Sequence, residues 1–104
     1  MTQQYDLLIE PTAHQQRKQL PGQVRQRIKR AIDDLAQEPR PHSSKKLDTS
    51  DLEVPKEVEL RRIRLDKWRF IYAVNDVEKW VWVWRIRKRP PYDYEDLTDL
   101  AKSL

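Results

Sequence analysis

The sequence predicts an α+β domain of order β-α-α-β-β-β-α, with a small antiparallel sheet packed on a helical hairpin and a C-terminal helix. Three observations carry that reading. Residues 61–89 hold ten Lys and Arg and read as three consecutive strands, whose successive side chains alternate between two faces. Residues 23–37 set Val24, Ile28, Ala31, Ile32 and Leu35 at the three-and-four spacing of one helix face. Prolines and short polar pairs then cut the chain into brief elements, and 104 residues make one domain, 1–104, with a single modest core.

Taken in order, Tyr5–Ile9 reads as a first strand, ended by Glu10-Pro11. Thr12-Ala13-His14-Gln15 matches a capping box, with Thr12 at the N-cap of a short helix to Leu20. Pro21-Gly22 breaks it, and a second helix runs from about Gln23 to Gln37, its other face basic with Arg25, Arg27, Lys29 and Arg30. Residues 39–57 hold Pro39, Pro41 and Pro55 and read as a long loop, with Lys45-Lys46-Leu47 a brief extended piece. Arg61–Leu65, Trp68–Val74 and Lys79–Arg89 are the three consecutive strands, turning at Asp66-Lys67 and Asn75-Asp76. Pro90-Pro91 stops the last one. Asp93 then caps a final helix through Leu104, where Leu97, Leu100 and Leu104 form a narrow apolar stripe.

Composition narrows the function classes. There is no Cys, which removes disulfides, thiolate metal sites and cysteine nucleophiles and fits a cytoplasmic protein. Met1-Thr2-Gln3-Gln4 lacks a signal peptide's basic and apolar regions, and no stretch approaches the roughly 20 apolar residues of a membrane span. Four Trp and four Tyr supply the bulk that a core needs in a chain that is 37% charged. Residues 61–89 carry ten Lys and Arg against three Asp and Glu, net +7, whereas residues 90–104 are net −3. Charge is therefore segregated along the chain, and the basic part coincides with the strands.

If the three strands share one sheet, Ile63, Leu65, Phe70, Tyr72, Val74, Trp80, Trp82, Trp84 and Ile86 fall on one face, which wants burial against the helices. Arg62, Arg64, Arg69, Arg85, Arg87 and Arg89 fall on the other. Exposed strand positions usually mix Thr, Glu, Lys and Ser, so six arginines together point to an anion, and guanidinium forks suit phosphate. Nucleic acid is the expected polyanion. Trp80, Trp82 and Trp84 are expected in the core rather than stacked on bases, while Trp68, at a hairpin edge beside Arg69, is open to stacking. His14 and His42 sit on separate elements without a Cys or His cluster, so no metal or cofactor is expected. Tyr92 and Tyr94 follow the basic strand, and a phenol beside guanidiniums has its phenolate favoured, which makes a general base conceivable.

From Tyr5 to Leu104 the chain resembles the RelE/ParE family of toxin–antitoxin toxins. The resemblance rests on Ile9-Glu10-Pro11-Thr12-Ala13, on Leu35-Ala36-Gln37-Glu38-Pro39-Arg40-Pro41, and on Lys45-Lys46-Leu47. Above all it rests on Arg62-Ile63-Arg64-Leu65-Asp66-Lys67-Trp68-Arg69-Phe70-Ile71-Tyr72, similar to the family's R-L-R-x-G-x-Y-R-x-x-Y hairpin. For the RelE branch this implies a metal-independent endoribonuclease that cuts messenger RNA in the ribosome, a ribose 2′-hydroxyl attacking the adjacent phosphate. Carried over by position, Arg69 contacts the scissile phosphate, Arg89 stabilises the phosphate or leaving group, and Tyr94, or else Tyr92, stacks on or activates the nucleotide. Arg64 and Arg62 stand where added phosphate charge needs stabilising, and Arg85, Arg87, Lys88 and Trp68 would hold RNA. Lys88 occupies the place where many relatives carry a His, and Pro90-Pro91 alter the tyrosine spacing. Cleavage then rests on charge stabilisation and positioning. The implied partners are a RelB-like antitoxin, messenger RNA and the ribosome, and operator DNA through the antitoxin complex. The alternatives are a ParE-like inhibitor of DNA gyrase and a non-catalytic nucleic-acid-binding module.

Overall fold

Five strands join in the order β1-β5-β4-β3-β2, and two helices cover one side of them. The computed structural model describes residues 4–50, 52–88 and 100–104. The elements are β1 (Asp6–Ile9), α1 (Pro11–Lys18), α2 (Gly22–Asp34), β2 (Ser44–Lys46), β3 (Val58–Leu65), β4 (Trp68–Asn75) and β5 (Trp80–Lys88). Residues 100–103 form a helical turn, and the expected start of the last helix at Asp93 lies outside the described residues. The α+β architecture is as the sequence predicts. One edge is not antiparallel: β1 lies parallel to β5, Asp6 opposite Trp80 and Ile9 opposite Val83, so the sheet is mixed.

The first helix starts two residues earlier than a Thr12 cap allows. Glu10 is the N-cap, and its carboxylate accepts the Thr12 N–H at 2.8 Å. Pro11 then sits at the first helical position, where its fixed φ is preset for a helix and its missing N–H costs nothing. In α2, Ile28 and Ile32 are completely buried, as the apolar spacing predicts, and the helix ends at Asp34 rather than Gln37. The β3–β4 hairpin turns at Asp66-Lys67, with Asp66 at φ 55. The next turn is longer than Asn75-Asp76. The Asn75 side-chain oxygen accepts the N–H groups of Val77 and Glu78, and β5 opens only at Trp80.

One irregularity redistributes the side chains of β5. Ile71 faces Arg85 but Tyr72 faces Val83, so Trp84 is an extra residue on β5, a bulge. Ahead of it the alternation changes phase. Val81 and Val83, not the tryptophans, join Ile63, Phe70, Tyr72, Val74 and Ile86 against Ile28, Ile32 and Leu35 of the helical side. Trp84 belongs instead to a second core on the opposite face, with Leu47, Leu60, Ile71, Ala73 and Leu100, and Trp80 and Trp82 pack beside it. The expectation that Trp80, Trp82 and Trp84 share a face with Phe70 is therefore corrected. A strict two-residue period carried across the strand is what misplaced them.

A charged network fastens the segment after α2 to the sheet. Arg40 bridges Asp76 at 2.7 Å and Glu59 at 3.4 Å, Arg61 pairs with Glu59, and the Tyr5 hydroxyl donates to Asp76 at 2.7 Å. Arg40, followed by Tyr5, holds the Asp76 carboxyl below its ordinary value. Burial pushes Glu59 up, but Arg61 and Arg40 together outweigh it and hold it down. Both folded pKa values lie below the unfolded ones, so the carboxylates' stabilisation is complete above the unfolded values and is lost as pH falls through the folded ones. Urea midpoints should hold at neutral pH and fall once the pH drops below 4.5, the ordinary value for Glu59. Arg40→Met should cost about 1 kcal/mol at pH 7 and flatten that acid limb, since exposed pairs contribute little individually. An unchanged acid limb in this variant would remove the network from the account.

Candidate nucleic-acid interface

At the hairpin end of the sheet, register brings three arginines abreast. Arg64 on β3 is opposite Arg69 on β4, and Arg69 is opposite Arg87 on β5. Adjacent strands lie roughly 4.8 Å apart, so the three backbones span about 10 Å. Arg62 shares this face two residues along β3. The face is not cationic throughout: beyond Arg62 it becomes the second apolar core, containing Leu60 and Ile71. The basic region is a compact patch at one end of a greasy wall.

Within the patch the environments differ. Arg64 is exposed, Arg62 and Arg87 are half-buried, and Lys88 is exposed at the strand end. Arg69, in the middle of the row, is only 2% exposed, and the Nε atoms of Arg69 and Arg87 are buried. The open arginine face expected from the sequence is thus closed at its centre. Guanidinium stays charged at any physiological pH, and a charge so placed acts through protein rather than water, which strengthens its field on an adjacent anion. Arg64 is thus the exposed member of the row and Arg69 the buried one.

Arg85 and Trp68 stand outside this row. Arg85 turns to α1: it donates to the Glu10 carboxylate at 2.5 Å and to the Trp84 carbonyl at 2.8 Å, and lies 4.0 Å above the Trp84 ring. Trp68 is half-buried and packs against the helix-side core. Arg89, Tyr92 and Tyr94 lie outside the described residues. Tyr72 offers no base, because burial pushes its phenol up and its hydroxyl donates to the Pro39 carbonyl at 2.8 Å. His14 lies within hydrogen-bonding reach of Arg17, at 3.0 Å. Among the described residues no three His, Cys, Asp or Glu groups converge as metal ligands, and no helix is long and apolar enough to cross a membrane.

Sequence reasoning missed Glu10 and Gln16. Gln16 Oε1 accepts the backbone N–H of Ile86 at 2.9 Å, and Glu10 joins the α1 cap to Arg85. Glu10-Pro11 carried a signal, an acid directly before a helix-opening proline, but its partner 75 residues away had none. Because Arg85 is already committed, Arg85→Ala should leave the salt dependence of RNA affinity almost unchanged. Arg87→Ala should lower the slope of log K against log salt by about 0.7, the loss of one single-strand phosphate contact. A slope lowered by the same amount in both variants would show that the Glu10 pair opens on binding.

The family described as ParE toxin of type II toxin–antitoxin system, parDE, matches residues 3–90. No curated protein sequence matches. Among solved structures, an archaeal RelE–RelB complex from Pyrococcus horikoshii OT3 is similar at 27% identity and a TM-score of 0.72, covering 88% of this chain and 100% of that one. The isolated E. coli RelE toxin aligns at 20% identity and a TM-score of 0.61, over 96% and 99% of the two chains. The toxin–antitoxin complex RelBE2 from Mycobacterium tuberculosis aligns at 21% and 0.64, over 83% and 99%. These last two support the fold alone. With the family match spanning most of the chain, and the fold of sheet and helices in agreement with it, the protein belongs to the RelE/ParE family as a type II toxin–antitoxin toxin.

Proposed function

We propose that this toxin is an endoribonuclease that cuts messenger RNA on the ribosome, by attack of a ribose 2′-hydroxyl on the neighbouring phosphate. The observation that carries the reading is the Arg64–Arg69–Arg87 row. As the 2′-oxygen closes on phosphorus, the non-bridging oxygens gain negative charge, and preorganised donors aimed at them lower the barrier. Arg69 is the electrostatic centre, Arg64 the flanking donor, and Arg87 with Arg62 and Lys88 holds the strand. Arg89 and Tyr94, or Tyr92, are proposed to complete the site as phosphate donor and nucleotide-stacking group. The phosphorus–5′-oxygen bond breaks as the 2′-oxygen–phosphorus bond forms; the 2′-hydroxyl gives up one proton and the 5′-oxygen takes up one to leave as a hydroxyl, so a 2′,3′-cyclic phosphate remains on the upstream fragment with no net proton consumed.

Inducing the protein in cells and mapping RNA 5′ ends tests this directly. Cuts phased with codons inside translated regions are expected. The family match, whose description names ParE, gives the gyrase reading its own support. Intact messages together with double-stranded DNA breaks would establish that reading instead. A RelB-like antitoxin is the proposed partner, since the similar archaeal toxin was crystallised with RelB. An acidic segment of that partner would complement the row, and operator DNA would be reached through the complex.

A further inference from the structure

We propose that Gln16 is a positioning residue for the arginine row, fixing the end of β5 that carries Arg87. The inference rests on the endoribonuclease reading. Strand β1 pairs with β5 only as far as Ile9 opposite Val83. Glu10 continues that edge by one bond, its N–H donating to the Val83 carbonyl at 2.9 Å, and the chain then coils into α1. From Trp84 onward the outer edge of β5 faces a helix, which has no strand ladder to offer. Helix side chains take over. The Glu10 carboxylate holds Arg85, and Gln16 Oε1 accepts the N–H of Ile86 at 2.9 Å.

Ile86 is 3% exposed, and its N–H, in a part-buried contact, is met by the Gln16 side-chain oxygen in place of a strand partner. The next residue is Arg87, opposite Arg69. Gln16 therefore grips the backbone one residue before the third member of the row. That grip opposes two forces. Strand ends open more readily than their centres, and like charges placed directly opposite each other push strands apart. Transition-state stabilisation tolerates little displacement of its donors, so a looser strand end should slow the chemical step more than it weakens binding.

The test compares Gln16→Met, which keeps a long side chain but loses the amide oxygen, with Gln16→Glu, which keeps an acceptor at that position. Tyr72→Phe is the control, because it removes one buried hydrogen bond in another part of the molecule. On programmed ribosomes at saturating toxin, Gln16→Met should cut about tenfold more slowly in single turnover, with its half-saturating concentration moved by less than about twofold. Gln16→Glu and Tyr72→Phe should stay within about twofold of wild type in rate. Hydrogen exchange at the Ile86 amide should accelerate in Gln16→Met alone. Wild-type cutting with an unimpaired Gln16→Met, or an equal loss in Tyr72→Phe, overturns the proposal by itself. Wild-type protein that leaves messages intact overturns the endoribonuclease reading and takes this proposal with it.

Discussion

Arg69→Lys should slow single-turnover cleavage sharply while leaving the toxin able to bind its target. Arg69 sits between Arg64 and Arg87 and is 2% exposed. Lysine keeps the charge but loses the planar fork, and its compact ammonium is the more strongly hydrated group, so it suits a buried site less well. Complete removal in Arg69→Ala should raise the barrier by about 2–4 kcal/mol, the range for losing one donor to a developing oxyanion. That is a rate loss of roughly 30- to 1000-fold. Arg64→Ala, at an exposed position, should weaken affinity and reduce the salt slope by about 0.7 as well as slowing the reaction. Unfolding in urea must accompany each assay, because a buried guanidinium also helps fill the sheet face. Wild-type rates for Arg69→Lys at saturation, in a protein that unfolds normally, would remove Arg69 from the chemistry.

The largest stability loss is expected at Tyr72. Its side chain is completely buried in the helix-side core, its ring centre lies 5.9 Å from that of Phe70, and its hydroxyl holds the Pro39 carbonyl. Tyr72→Ala leaves a cavity the size of an aromatic ring and should cost about 3–5 kcal/mol. A small domain has only about 5–15 kcal/mol in total, so this variant should be partly unfolded at 37 °C. Tyr72→Phe keeps the ring and loses only the hydrogen bond, which should cost about 1 kcal/mol. Urea unfolding separates the two: the midpoints should differ widely while the slope stays the same. Similar midpoints would mean that the ring contributes little and the bond to Pro39 most.

Much of this arrangement is legible in the sequence. Ile63 stands between Arg62 and Arg64, Phe70 follows Arg69, and Tyr72 comes two residues after Phe70; both strands keep that phase through the β3–β4 hairpin, so their faces follow from a count by twos. Arg64 and Arg69 were readable as neighbours for the same reason. Arg85 was not readable, because the bulge and the Glu10 contact join residues far apart in the chain and leave no local period. The tryptophans were misplaced by the same bulge. The burial of Arg69 was hidden too, since sequence reports which face a residue occupies but not what lies over it. The parallel edge of β1 was likewise unmarked: a four-residue strand reads identically in either direction.

The extra residue at Trp84 uncouples the two halves of β5 as evolutionary material. Upstream of it, Trp80 to Val83 serve β1 on one edge and two apolar layers on the two faces, so almost any change there is felt by three neighbours at once. Downstream, Arg87 and Lys88 lie beyond the pairing with β1, on the stretch of strand beside Arg69 and Trp68. Losing a single residue at Trp84 would fuse these modules into one reading frame of side chains. Either the valines or the arginines would then have to change sides.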